Sequence, residues 1–203
     1  MKLYHAPASP YVRKVMVLAH ETGLADKLDV ETVTTSPAAP DAAVAKANPV
    51  KKIPALVTDG GMALFDSPVI CEYLDSQHDG PKMFPEPGDA RWHALQLQAA
   101  ADGLLDAAIL IVYEGRIRPE ELRFEPWVDA QRSKIDGALA ALNGWSEGFG
   151  DRIDIGTISA ACACGYLDLR FPDIDWRGTN RALAAWYERF SARPSMQATK
   201  PAG

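Results

Sequence analysis

Apolar positions change their spacing near residue 80, and the two halves predict different kinds of structure. Before that point the apolar runs are short. "KLYH" is a brief apolar strand, and "KLDVETV" alternates with the period of two expected of a half-buried strand. Between them Val12, Val15, Met16 and Ala19 recur at helical spacing. Pro10 suits the first position of that helix, and Gly23 is placed to stop it. Strand, helix and strand in this order predict a βαβ unit with parallel strands and a right-handed crossover. "APDAAVAKA" predicts a short helix, and "PALVTDGGMALF" predicts two strands joined by a hairpin at "DGG". "SPVICEYLDSQ" predicts a closing helix with Ser67 at the N-cap and Pro68 next to it. The order β-α-β-α-β-β-α is most simply buried as a four-stranded mixed sheet covered by helices.

"DGPKMFPEPG" carries three prolines and two glycines in ten residues and reads as a linker. Only helical periods follow it. "DARWHALQLQAAADGLLDAAILIVYEG" predicts a long helix that ends before Pro119. "EPWVDAQRSKIDGALAALNGWSEG" predicts a second, with Trp127, Ile135, Leu139 and Leu142 on one stripe. "DIGTISAACACGYLDLRF" is apolar nearly all round and predicts a central helix, and "NRALAAWYERFSARP" predicts a fourth. The predicted organisation is an α/β domain over residues 1–78, a linker over 79–88 and an all-α domain over 89–203.

Composition bears on partners more than on fold. The 203 residues are 47% hydrophobic and 24% charged, an ordinary globular composition. The formal net charge is −6 and no basic run exceeds "VKK" or "RIR", which argues against a nucleic-acid partner. No uninterrupted apolar run approaches the length of a membrane span, and "MKLYHAP" lacks the apolar stretch of a signal peptide, so a cytoplasmic protein without a membrane partner is expected. Cys71, Cys162 and Cys164 are too few and unevenly placed for a disulfide framework. Residues two apart on a helix face different directions, so "CAC" is expected to hold buried small residues and no metal.

Three short stretches carry the candidate chemistry. In "APASPYVRKV" Ser9 stands before Pro10 at a helix N-terminus, where its hydroxyl can cap the first turn or meet an anion. In "NPVKKIPALV" Ile53 precedes Pro54. A cis bond there would turn the backbone of Ile53 outward at the sheet edge, free to pair with a peptide, whereas a trans proline would simply open an edge strand. In "LFDSPVICEYL" the amides that follow Ser67 suit a carboxylate and Asp66 suits an ammonium, the two charges of an α-amino acid end.

Taken in order, these stretches resemble the cytosolic glutathione S-transferase family, and the resemblance extends over nearly the whole chain through "MFPEPG", "CGYLDLRFPDIDW" and "LAAWYERFSARPSM". The likeness is to the serine-containing bacterial branch of that family. It implies a thioredoxin-like N-terminal domain, an all-helical C-terminal domain, a homodimer, and glutathione as co-substrate without a metal. Carried over by position, it implies that Ser9 donates to the glutathione sulfur, that the Ile53 backbone before cis Pro54 pairs with the cysteinyl unit, and that Asp66 and Ser67 hold the γ-glutamyl end. Lys52 is implied near a carboxylate, and Asp102 falls where some members place an acid that reaches the partner subunit's glutathione. The thiolate would attack a small hydrophobic electrophile in a cleft between the domains, walled by Ala6, Ala8, Leu105, Ile109 and Tyr113.

The sequence also departs from the family pattern. Asp66 replaces the usual glutamate and is one methylene shorter. Asp154 and Thr157 stand in the reverse of the usual order at the start of the central helix, which predicts retained capping with a weaker reciprocal bond. Tyr4 and Tyr11 lie near Ser9, and Tyr4 is expected to be a core or interface residue. A protein of the same fold that binds glutathione without turnover is the alternative reading. A two-cysteine redox cycle is excluded, because positions 6 and 9 are Ala and Ser.

Overall fold

A computed structural model describes residues 1–202. Strands β1 (Lys2–His5) and β2 (Asp29–Thr32) are parallel, with Leu3 opposite Val30, and α1 (Pro10–Glu21) makes the crossover between them. After α2 (Ala42–Ala47), β3 (Ala55–Val57) pairs antiparallel with β1, and β4 (Ala63–Leu64) pairs antiparallel with β3. The sheet is four-stranded and mixed, as the period pattern predicts, and its spatial order is β2-β1-β3-β4. The "DGG" turn closes through Thr58 N–H to Met62 C=O at 2.9 Å, and Gly61 takes a φ of +82° that a side chain would resist. Tyr4 lies in the core with Val33, Val44, Ala47 and Ala55, the structural role expected of it.

Helix α3 (Ser67–Ser76) begins one residue earlier than the sequence suggests. Asp66 is the N-cap, because its carbonyl accepts the first helical bond, from Ile70 N–H at 3.0 Å. Ser67 is therefore the first helical residue. Beyond α3, the buried Asp75 carboxylate accepts the N–H groups of Met83 and Phe84 at 2.7 and 3.0 Å, which ties half of the expected linker to the sheet-bearing unit.

The second unit, Pro85–Arg193, contains α4 (Asp89–Arg116), α5 (Glu125–Ser146), α6 (Ile155–Arg170), α7 (Trp176–Thr179) and α8 (Arg181–Ser191). Every residue of α6 from Ile155 to Leu167 is buried, so it is the central helix. Asp154 and Thr157 form a complete capping box, with bonds of 2.9 and 3.0 Å. The reversed order thus costs neither bond. Gly156 is where α6 meets α4: a Cβ there would stand 2.7 Å from the Ala94 carbonyl oxygen. On α5 the buried stripe is Val128, Gln131, Ile135, Leu139 and Leu142. Trp127, expected on that stripe, is 42% exposed, since it sits one position away from the residue that completes the helical spacing. Helix α4 is long and apolar enough to cross a membrane by length and composition, and it packs here against α5 and α6.

The chain returns to its first unit at the end. Met1–Phe84 is joined by the segment from Pro194, which includes α9 (Pro194–Ala198). The expected assignment of residues 89–203 to one helical domain is corrected accordingly. Met196 is 1% exposed and its carbonyl accepts from Arg13 Nη2 at 3.1 Å, while Ser195 Oγ donates to Glu21 at 2.5 Å. A five-residue helix has too little periodicity to reveal such docking.

Candidate functional site

The register of the sheet brings the three candidate stretches to one end of it. Tyr4 of β1 pairs with Ala55 of β3, so the chain leaving β1 toward Ser9 runs beside Ile53 and Pro54 entering β3. Leu56 pairs with Leu64, so the chain leaving β4 toward Asp66 emerges at the same end. Strand direction alone produces this convergence, because β1 and β4 finish where β3 starts.

Ser9 is the N-cap of α1, and its Oγ accepts the Val12 N–H at 3.3 Å. Its backbone N–H donates to Ala6 C=O at 3.0 Å, which folds the loop through Ala6 and Ala8 against the helix start. Accepting that bond leaves the hydroxyl hydrogen available, and among the described residues nothing accepts it. Tyr11 is half-buried, with the Lys14 ammonium 5.9 Å from its ring centre.

The Ile53–Pro54 bond is cis. Asn48, only 1% exposed, shapes the approach to it: its side chain donates to Lys52 C=O at 2.8 Å and accepts from Val50 N–H at 2.9 Å. Neither the N–H nor the C=O of Ile53 has a partner among the described residues. Lys52 is exposed. Asp66 is exposed and makes no side-chain cap bond, and Ser67 is buried. The N–H groups of Ser67 and Val69 have no acceptor among the described residues, so this helix start presents two free donors beside a free carboxylate. A group carrying both an anion and a cation suits it.

In the helical unit Asp102 and Ile109 are half-buried on α4, and Tyr113 is 37% exposed. Leu105 is fully buried among the helices, so its expected place in an open pocket wall is corrected: the stripe it shares with Ile109 turns into the core at that turn. Sequence reasoning misses a polar cluster around Tyr113. Near the buried Tyr166 of α6 lie Arg170, one turn further along the same helix, and Tyr113 and Arg116 of α4. Burial pushes both phenols above their ordinary range, so both keep their protons at neutral pH. The only local signals are the i, i+3 and i, i+4 spacings within each helix, and these do not reveal the pairing across helices. His5, at the end of β1, has a pKa lowered by burial, and its Nδ1 lies 3.4 Å from Thr32 Oγ1. Among the described residues no group of three His, Cys, Asp or Glu side chains is placed to hold a metal, and the three buried cysteines form no disulfide.

A small mixed sheet carries this site and a bundle of helices follows it, and comparison with known proteins gives the family. The glutathione S-transferase N-terminal domain family matches residues 3–82 and the C-terminal domain family matches residues 125–189. The uncharacterized GST-like protein YibF of Escherichia coli K12 is 34% identical over 99% of this chain and 98% of its own length. A glutathione transferase family member from Pseudomonas fluorescens Pf-5, solved with bound glutathione, is 51% identical, covers 100% of this chain and 99% of its own, and superposes with a TM-score of 0.97. A second structure from that organism, with bound S-(propanoic acid)-glutathione, is 49% identical over 99% of each chain, with a TM-score of 0.92. The chain belongs to the glutathione S-transferase family.

Proposed function

We propose that this protein binds glutathione at the strand-end site and activates it as a thiolate for attack on a small electrophile. The observation that carries this reading is the set of free groups at one end of the sheet: the Ser9 hydroxyl hydrogen, the Ile53 backbone pair, and the Asp66 carboxylate beside the open amides of α3. Glutathione has a group for each. Its sulfur accepts from Ser9, its cysteinyl backbone pairs with Ile53 as an added strand, and its γ-glutamyl ammonium and carboxylate meet Asp66 and the Ser67 end of α3. Lys52 stands by for the remaining carboxylate. The relatives solved with glutathione and with S-(propanoic acid)-glutathione support the ligand class, and the second supports sulfur as the atom that is modified.

A free thiol titrates near pH 8.5 and is mostly protonated at neutral pH. A hydroxyl donor and a helix N-terminus both stabilise its anion, and the anion is the nucleophile. In this reading Asp102 serves a neighbouring subunit, and the protein is a homodimer. Three buried cysteines that form no disulfide fit a reducing cytoplasmic setting. Calorimetry with glutathione on wild type and Ser9→Ala, alongside turnover of an electrophile panel, tests the proposal. Binding by both with turnover lost in the variant is expected. Unchanged turnover would reduce Ser9 to a cap and make Tyr11 the next suspect. Binding without turnover would make the protein a glutathione-binding member of the fold, and no binding by wild type would end the proposal.

A further inference from the structure

The turn that delivers Ile53 to the strand-end site is anchored by one side chain beneath it. Pro49, Val50, Lys51 and Lys52 are exposed, so core packing does little to fix them, whereas Asn48 is 1% exposed. Its backbone N–H donates to Val44 C=O at 2.8 Å, which fastens it to the end of α2, and its C=O accepts from Lys51 N–H at 2.8 Å. Its Oδ1 accepts from Val50 N–H at 2.9 Å, and its Nδ2 donates to Lys52 C=O at 2.8 Å. Lys51 takes a φ of +58°, a conformation that a lysine keeps only where its surroundings dictate it. One residue thus sets the course of the chain from Val50 to Lys52. Asparagine suits the task because its short amide carries a donor and an acceptor side by side. Aspartate can serve Val50 but has no hydrogen for Lys52.

The bond to Lys52 also orients the next amide. The Lys52–Ile53 peptide is trans, and in a planar trans unit the C=O and N–H point in opposite directions. Holding Lys52 C=O on Asn48 therefore aims Ile53 N–H away from Asn48, and that N–H has no acceptor among the described residues. A donor on the carbonyl polarises the amide as well, which strengthens its N–H as a donor. Resting on the reading of glutathione binding above, we propose that Asn48 is a positioning residue: it presets the Lys52–Ile53 peptide so that Ile53 N–H meets the cysteinyl carbonyl of glutathione. Asn48 itself touches neither glutathione nor the reacting atoms in this arrangement. Its effect is preorganisation, because an exposed peptide left free to rotate would have to be ordered at the expense of binding.

The test measures Kd for glutathione and for γ-glutamylcysteamine, which keeps the thiol and the γ-glutamyl end but lacks the cysteinyl carbonyl, in wild type, Asn48→Asp and Asn48→Ala. Thermal unfolding of each protein fixes an assay temperature at which it is folded. Both variants should bind glutathione about tenfold more weakly while γ-glutamylcysteamine binding changes little, so the preference for glutathione shrinks by the same factor. Asn48→Asp is the sharper variant, since it removes the donor to Lys52 and keeps the acceptor for Val50. The KM for glutathione should rise by more than kcat falls. γ-Glutamylcysteamine also lacks glycine, so the comparison is repeated with Lys52→Ala in each protein, and the shrinkage should persist there. Equal losses for both ligands, an unmoved preference, or failure of both variants to fold would make Asn48 a brace for the turn and overturn the inference, with glutathione binding by wild type left standing. Failure of wild type to bind glutathione would instead bring down the underlying reading, and this inference with it.

Discussion

At Ser9 one oxygen accepts the Val12 amide and keeps a hydrogen to give. Replacement by Ala removes both. The lost cap should cost about 1 kcal/mol of stability, measurable by denaturant unfolding. The apparent pKa of the bound thiol should rise, because a donor to its charged form is gone, and thiolate absorbance followed against pH would record the shift. On the proposed binding mode, Asp66→Asn should weaken glutathione binding about tenfold with a smaller effect on kcat, since the γ-glutamyl ammonium assigned to it does not react; titration calorimetry checks this. These residues were legible in the sequence because cap and turn chemistry is local. What was not legible was tertiary. Leu105 and Ile109 share a stripe, and only the packing of α6 on α4 decides which is covered. Tyr166 and Arg170 lie near Arg116 and Tyr113, some fifty residues earlier in the chain, a proximity no local spacing announces.

Among the elements, the crossing of α4 and α6 depends on a missing side chain. Gly156→Ala would push a methyl to within 2.7 Å of both the Ala94 carbonyl oxygen and Leu97 Cβ, contacts that only a shift of the helices relieves. The expected loss is about 2 kcal/mol, or about 4–8 °C in Tm for a chain of this size, read by thermal unfolding. The turn joining α4 to α5 has a different anchor. Glu114 accepts from Arg118 Nε at 2.8 Å and from Phe124 N–H at 3.1 Å, and the Arg118 bond first, then the Phe124 bond, holds its carboxyl below the ordinary value of 4.5. A depressed carboxylate stabilises the fold above its unfolded pKa, and that contribution fades as pH drops through the lower folded value. Glu114→Gln should therefore destabilise the protein at pH 7, with the difference from wild type shrinking below pH 4.5. The periodicity announced both long helices. It did not reveal this clasp, whose partners lie ten residues apart on either side of a turn.

For the whole molecule, the division into units is not a division of the chain into two halves. Arg13 is buried, and its Nη2 donates to the Met196 backbone carbonyl, while Nε and Nη1 have no partner among the described residues. A buried cation with so few partners is held by the segment that covers it. Removing the residues from Pro194 onward should open α1 to solvent, with faster amide exchange in α1 than in α6, although the cut lies over 170 residues from the start of α1 in sequence. Hydrogen exchange read by mass spectrometry would show this directly.

The same feature sets an order of events during synthesis. Met1–Phe84 leaves the ribosome first, yet one face of α1 has its cover only after the whole of Pro85–Arg193 has been translated. Until then the nascent sheet-bearing unit carries a naked arginine and an unroofed apolar surface, and a fragment ending at Phe84 would stay in that condition permanently.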